Sequence, residues 1–201
     1  MKMRPLGIWV GILVTVCVWA QARKPAPQPE AARLIVQHAR SQLLKPAQYD
    51  ASYRRIAYPM GDVDPGRGVC TDVVIRALRA AGYDLQKLIH EDMARPGRKY
   101  PRKGKTRDSN IDHRRVPNQV YFFRRFGQSL TLKTDRRSLD QWKPGDLVYW
   151  KLENGLDHTG IISDRTNAQG LPLVIHNIWQ TAEEDVLTRW RIVGHFRFPK
   201  P

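Results

Sequence analysis

Cysteine, acidic side chains and metal-binding motifs are scarce in this 201-residue sequence. There are two cysteines, and 19 Asp and Glu stand against 34 Lys and Arg, for a formal net charge of +15. This charge favours an anionic partner or surface but does not indicate a fold. No His-x-x-x-His or cysteine pair has the spacing of a zinc site, and there is no Gly-rich phosphate loop or dinucleotide fingerprint. We therefore expect neither a metal nor a cofactor.

The apolar run near the N-terminus is too short for a membrane-spanning helix. It covers residues 6–20, which is fifteen residues, whereas a span needs about 20. Lys2 and Arg4 precede it and an Ala-Gln-Ala sequence ending at Ala22 follows, which is typical of a cleavable secretory leader. We predict a signal peptide at 1–22, cut after Ala22, and a periplasmic or secreted protein with no stable membrane span. Loss of the two leader cations lowers the net charge to +13, and export argues against nucleic acid as a partner.

Removal of the leader would leave a single cysteine. Cys17 would be lost, so Cys70 would remain in an exported chain where cysteines are usually paired. No intramolecular disulfide is then possible. A lone thiol in an oxidising compartment is either buried and inert or kept for its reactivity.

The remainder of the chain is predicted to form one packed domain. A hydrophobic content of 41% and six Trp support a core over residues 30–201, after a proline-rich tether at 23–29. Spacing of three to four predicts helices, and short apolar runs between turns predict strands. The helices are expected at 30–44, 70–81, 85–93 and 116–126, and the strands at 147–151, 158–163, 173–178 and 192–198. This order predicts an α+β fold in which N-terminal helices pack on a C-terminal antiparallel sheet.

Cys70 and two histidines are candidates for nucleophilic catalysis. Cys70 opens a predicted helix, where backbone N–H groups and the helix dipole lower a thiol pKa. His158 begins a strand and is placed to act as a base, and His176 lies in the next strand, where it could orient the first imidazole. The alternative is that Cys70 is a small buried hydrophobe and that both histidines are ordinary surface or core residues.

Four sequence blocks resemble those of NlpC-type cell-wall cysteine peptidases, which are small papain-like domains that cleave peptidoglycan stem peptides. The blocks are Cys70-Thr71-Asp72-Val73-Val74, Trp142-Lys143-Pro144-Gly145-Asp146-Leu147-Val148, His158-Thr159-Gly160-Ile161 and Ile175-His176. Residues 68–77 and 108–118 more closely resemble a family of exported bacterial proteins of unassigned function, placed distantly in that superfamily. The resemblance covers roughly residues 32–197. It implies a papain-like core with Cys70 as nucleophile, His158 as base and His176 as the third polar residue.

The residues around Cys70 depart from the NlpC-type pattern. Val69 stands where those enzymes usually have Asp, and Thr71-Asp72 stand in place of Ser-Gly. Contacts to the stem peptide at these positions therefore do not carry over. We assign tentative substrate-binding roles to Asp72 and to Asp112, His113 and Arg114. The alternative is that residues 108–118 form a loop and helix start held by a salt bridge and an Asn cap.

We expect a monomeric thiol amidohydrolase that acts on an amide bond in peptidoglycan stem peptides by a Cys-His-His mechanism. Its partner would be peptidoglycan or another anionic envelope polymer. The alternatives are a non-catalytic cationic module that binds such a polymer, and a papain-like acyltransferase. Residues 94–107 carry seven cations and no acid, so we predict an exposed docking loop outside the catalytic machinery. A merely solvated insertion is the alternative for this segment.

Overall fold

The computed structural model describes residues 24–101 and 106–201, so the predicted signal peptide lies outside the described residues. The helices are α1 (Glu30–Ser41), α2 (Cys70–Ala80), α3 (Leu85–Ala94) and α4 (Val116–Phe126). The strands are β1 (Gln48–Tyr49), β2 (Arg67–Gly68), β3 (Gln128–Ser129), β4 (Leu147–Lys151), β5 (Asp157–Thr166), β6 (Pro172–Asn177), β7 (Thr181–Glu184) and β8 (Arg191–Arg197). Within these two ranges, no helix has the length and apolar character needed to cross a membrane.

The main sheet has six antiparallel strands in the order β3-β8-β4-β5-β6-β7. Strands β4, β5 and β6 follow one another antiparallel, as predicted, and β7, which was not predicted, continues this meander. Strand β8 instead returns to the other side of β4. The short strands β1 and β2 form a separate parallel pair. The predicted α+β arrangement, with N-terminal helices and an antiparallel sheet, is confirmed at this level.

Apolar side chains cover both faces of the sheet. Helices α1 and α2 pack on one face, where Ile161 and Ile175 belong to the main core. The residues beside them in β5 and β6, Ile162 and Val174, belong to a second cluster with Trp150 on the other face. Successive side chains of a strand point to opposite faces, so both faces are buried here. This explains why the strands are continuous apolar runs rather than alternating ones.

The structure differs from the predicted elements mainly at their ends and at the edge of the sheet. The first helix stops at Ser41 and tightens into a 3-10 turn over Gln42–Leu44. Strand β7 has the sequence Thr-Ala-Glu-Glu, which carries no apolar run, and it is the edge strand of the sheet. Residues 53–58 form no helix or strand.

Candidate active site

The N-terminus of α2 is fastened to the 3-10 turn Asp112–Arg114. The Asp72 carboxylate accepts a hydrogen bond from the Val69 N–H at 2.7 Å. It also accepts two from the Arg114 guanidinium, both at 2.8 Å, and both side chains of this ion pair are 3% exposed. The Thr71 hydroxyl donates to the Arg114 carbonyl at 2.8 Å. This network holds the first residue of α2, Cys70, in place.

The same network corrects the tentative substrate-binding roles. Asp72 is buried and both of its oxygens are used internally. Asp112 is also buried. Its carboxylate accepts a hydrogen bond from the Asp108 N–H at 2.6 Å, and its backbone carbonyl accepts one from the Asn118 side-chain amide at 2.9 Å. His113 is 2% exposed. The structure therefore favours the alternative of a loop and helix start held by an ion pair and an asparagine. Arg114 does line the cleft beside Cys70.

That cleft has a volume of about 400 Å³. It is lined by residues from several parts of the chain, among them Tyr49, Cys70, Pro101, Ile111, Arg114 and Leu156. Tyr49 was not predicted as a site residue, because its two-residue strand has no periodicity that could indicate it. Burial raises the pKa of the Tyr49 hydroxyl, and the charge of a Cys70 thiolate would raise it further. Tyr49 therefore forms a wall of the cleft close to the thiol.

The Cys70 thiol is buried, and its side chain is in the main core. Burial raises its pKa to about 12, although the backbone amides of Thr159, Thr71 and Cys70 itself face the sulfur and oppose that increase. The predicted lowering of the thiol pKa by the helix start is therefore wrong for this structure. The sequence places the amides correctly, but burial outweighs them.

His158 and His176 form a buried hydrogen-bonded pair, as their adjacent strands predict. His158 Nε2 lies 2.8 Å from His176 Nδ1. The His158 ring stacks beside Trp150 at a centroid distance of 5.6 Å and meets the edge of Trp190 at 5.5 Å. Burial and, to a smaller extent, the nearby His176 lower the pKa of His158 to about 3. Burial lowers the pKa of His176 as well, so both rings are neutral near pH 7.

At the start of β5, Cys70 belongs to the core on the helix face of the sheet, whereas the His158 ring lies beside Trp150 on the other face. The Thr159 amide, next to His158 in the chain, faces the Cys70 sulfur. The His158 ring, however, is directed to His176 and the two tryptophans. Among the residues that the structure describes, no hydrogen bond joins Sγ to either imidazole. The structure thus brings the two histidines together on one face of the sheet and places the thiol on the other face, next to the Thr159 amide.

A carboxylate that the sequence analysis missed completes the histidine pair. Glu184 Oε2 lies 2.8 Å from His176 Nε2. Glu184 is in edge strand β7, where it lies opposite Val174 of β6. Strand β7 has no apolar pattern, so no sequence signal pairs it with β6.

The described residues of the cationic segment 94–107 are mostly exposed, as predicted, but the segment is anchored at two points. Arg98 Nε and the Tyr100 hydroxyl donate to the buried Asp92 carboxylate at 3.1 and 2.8 Å. Pro101 lines the cleft beside Cys70. Residues 102–105 of the segment lie outside the described residues. The anchored half therefore borders the candidate site instead of projecting away from it.

The described part of the chain contains no group of three or more His, Cys, Asp or Glu side chains that could hold a metal ion. Two imidazoles and one carboxylate are in contact, and a thiol lies near the same end of β5. These are groups for proton transfer and nucleophilic attack.

Comparison with known proteins places the chain in a family. A family model described as a domain of unknown function, DUF1287, matches residues 36–198. The uncharacterized protein YijF of Escherichia coli strain K12 is 46% identical over 196 residues, which cover 92% of this chain and 94% of YijF. No solved structure matches the chain. The match over nearly the whole described domain, with a relative of almost equal extent, shows that this chain belongs to the DUF1287 family.

Proposed function

We propose that this protein is a cysteine amidohydrolase with a papain-like core, and that it cleaves an amide bond in peptidoglycan stem peptides. The observation that carries the proposal is the hydrogen-bonded His158–His176 pair at the start of β5, beside the Thr159 amide that faces Cys70 in an open cleft. A nucleophile, a base and a group that orients the base are the parts this chemistry needs. The resemblance to NlpC-type blocks and the cationic charge support a cell-wall substrate.

The resting site contains a neutral thiol and neutral imidazoles, because burial raises the pKa of Cys70 and lowers those of both histidines. The thiol proton therefore moves during attack and not before it. His158 takes the proton as sulfur bonds to the carbonyl carbon and the C=O π electrons move to oxygen. The backbone N–H of Cys70 stabilises the resulting oxyanion, with the Thr71 N–H as a second donor.

The leaving amine departs when the oxyanion reforms the carbonyl and the C–N bond breaks. His158 returns its proton to the amine nitrogen, which leaves a thioester on Cys70. Water then attacks the thioester with His158 again acting as base, and the thiol is regenerated. This sequence requires a rearrangement at the start of β5 on substrate binding, because Cys70 lies on the helix face of the sheet and the His158 ring lies beside Trp150 on the other face.

The test is digestion of purified sacculi with the wild type and with Cys70→Ala, followed by mass spectrometry of the soluble fragments. The wild type is expected to release stem-peptide fragments and Cys70→Ala to release none, while circular dichroism shows both proteins folded. Added amine acceptors distinguish hydrolysis from acyl transfer, because transfer leaves the acceptor on the fragment. Equal release by the two proteins, or no release by either, contradicts the proposal.

A non-catalytic module that binds an anionic envelope polymer is the second candidate. The buried thiol, with its raised pKa and without a hydrogen bond to an imidazole within the described residues, favours it. This candidate predicts that the wild type and Cys70→Ala bind sacculi equally and that neither releases fragments.

A further inference from the structure

We propose that Glu184 is a positioning residue that fixes the tautomers of His176 and His158. The inference about tautomers stands on the geometry alone, and only its catalytic consequence rests on the proposed function. Glu184, His176 and His158 form a row in which each consecutive pair of polar atoms is 2.8 Å apart. The row runs from a partly exposed carboxylate, 45% exposed, to a buried imidazole at the start of β5.

The carboxylate decides where the proton of His176 lies. A neutral imidazole has one N–H and one bare nitrogen. A bare nitrogen 2.8 Å from a carboxylate oxygen would place two lone pairs against each other, so His176 carries its proton on Nε2. Its Nδ1 is then bare. Glu184 Oε2 is close to His176 Nε2 but does not lie along the N–H direction. Because the Glu184 side chain is partly exposed, it can rotate to bring this oxygen into line with the N–H.

The second step follows from the first. A bare His176 Nδ1 is an acceptor, so His158 Nε2, which is 2.8 Å away, must donate to it. Neutral His158 is then left with a bare Nδ1. This nitrogen is the one that would accept the thiol proton. Without Glu184, His176 could instead carry its proton on Nδ1 and donate it to a bare His158 Nε2. The hydrogen bond between the two rings would remain, but its direction would be reversed.

The surroundings support this division of roles. Trp190 packs edge-on against both imidazoles, and Trp150 stacks beside His158. The ionisable groups facing His176 are His158, Glu184 and Arg189, and Arg189 is also stacked over Trp190. Among the described residues, Glu184 makes no ion pair with Lys or Arg. Its neighbour Glu183 instead pairs with Arg40 and Arg165.

The test is two-dimensional NMR of the histidine ring nitrogens in the mature full chain at pH 7. Wild type is expected to show Nε2-protonated tautomers for both His158 and His176. Glu184→Ala is expected to shift both rings toward mixed tautomers, and Glu184→Gln to retain the wild-type pattern, because the amide oxygen still accepts the N–H. Glu91→Gln, an exposed charge change in α3, is the matched control and should change neither ring.

Unchanged tautomers in Glu184→Ala, or Nδ1-protonated rings in the wild type, would overturn the inference. If the amidohydrolase proposal holds, Glu184→Ala also lowers kcat by at least about tenfold with little change in KM. The upper bound is the roughly 10⁴-fold loss expected when an orienting group imposes the wrong tautomer. Glu184→Gln restores most of the rate. If sacculi are not cleaved at all, the NMR result still decides the role of Glu184.

Discussion

At the residue scale, two effects of opposite sign act on the Cys70 thiol. A helix N-terminus stabilises a nearby anion by about 0.3–1 kcal/mol. This is less than the 1.36 kcal/mol that corresponds to one pKa unit, whereas full burial can raise an acidic pKa by up to 3–5 units. Burial is the larger effect, and it raises the pKa of Cys70 to about 12. At Cys70, burial therefore outweighs the position at the helix start.

Alkylation of Cys70 should reflect this raised pKa. We expect iodoacetamide labelling of the folded protein to be slow at pH 7 and to rise about tenfold per pH unit without a plateau below pH 9, because the thiolate is the reactive form. In urea, the same cysteine should label with a midpoint near the free-thiol value of about 8.5. A mass-spectrometric time course at each pH measures both rates. A plateau below pH 7 in the folded protein would show that a thiolate is already formed at rest.

The two histidines should differ in their tolerance to substitution if the protein is an amidohydrolase. We expect His158→Ala to abolish release of fragments from sacculi, because the base is lost. His176→Asn should retain a measurable fraction, because an amide can still accept the proton of His158 Nε2 and hold the ring. Initial rates of fragment release compare the variants. Equal losses, or survival of His158→Ala, would show that the roles are wrongly assigned.

At the scale of elements, the start of α2 depends on a long-range ion pair. Arg114 and Asp72 are 42 positions apart, and their side chains are both 3% exposed. Breaking a buried pair by removal of one partner leaves an uncompensated charge in the interior. The position of Cys70 at the cleft thus depends on a turn that is remote in sequence.

Arg114→Met should therefore destabilise the fold strongly. We expect a loss of about 3–5 kcal/mol in the free energy of unfolding, measured by urea unfolding at 25 °C. The matched control is Arg33→Met, which breaks the solvent-exposed pair with Glu30 and should cost less than about 1 kcal/mol. Similar small losses in both variants would mean that the Asp72–Arg114 pair does not hold α2.

At the scale of the whole molecule, the described part of a cationic segment lies beside the candidate site. Segment 94–107 reaches the cleft at Pro101, while Arg98 is used in pairing with Asp92. Exposed charges act over a Debye length of about 10 Å at 0.1 M salt. If the protein binds an anionic polymer, we expect these cations to raise the local concentration of that polymer near the cleft.

A variant that keeps the anchoring cations tests this role. It replaces Arg95, Lys99, Arg102, Lys103 and Lys105 with Ser and retains Arg98 and Arg107. We expect weaker binding to intact sacculi at low salt and a flatter salt dependence, with unchanged cleavage of a short neutral peptide. A sedimentation assay over a salt series measures the binding.

The control for that variant removes five exposed cations elsewhere: Lys87, Arg124, Lys133, Arg136 and Arg137. It has the same net charge, so a purely global effect would weaken binding equally in both proteins. Equal weakening would contradict a specific docking role. Loss of neutral-peptide cleavage in a folded segment variant would instead place these cations in the active site.

The sequence by itself determined most of the elements, because their signals are local. Helix α4 has the predicted bounds, since Pro117 lies in its first turn and Gly127 follows its end. Strand β4 also has its predicted bounds, and α2 begins at Cys70 as expected. The adjacency of His158 and His176 followed from a short turn between consecutive strands.

Only the tertiary structure decided the position of β8 beside β4, the pairing of Asp72 with Arg114 and the contact of Glu184 with His176. Each joins residues whose separation along the chain carries no periodic signal. The raised pKa of Cys70 has the same origin, because burial depends on what the rest of the chain packs over the thiol. Local pattern reflects backbone geometry within a few residues, whereas the protonation states of the site reflect desolvation and charges brought together by folding.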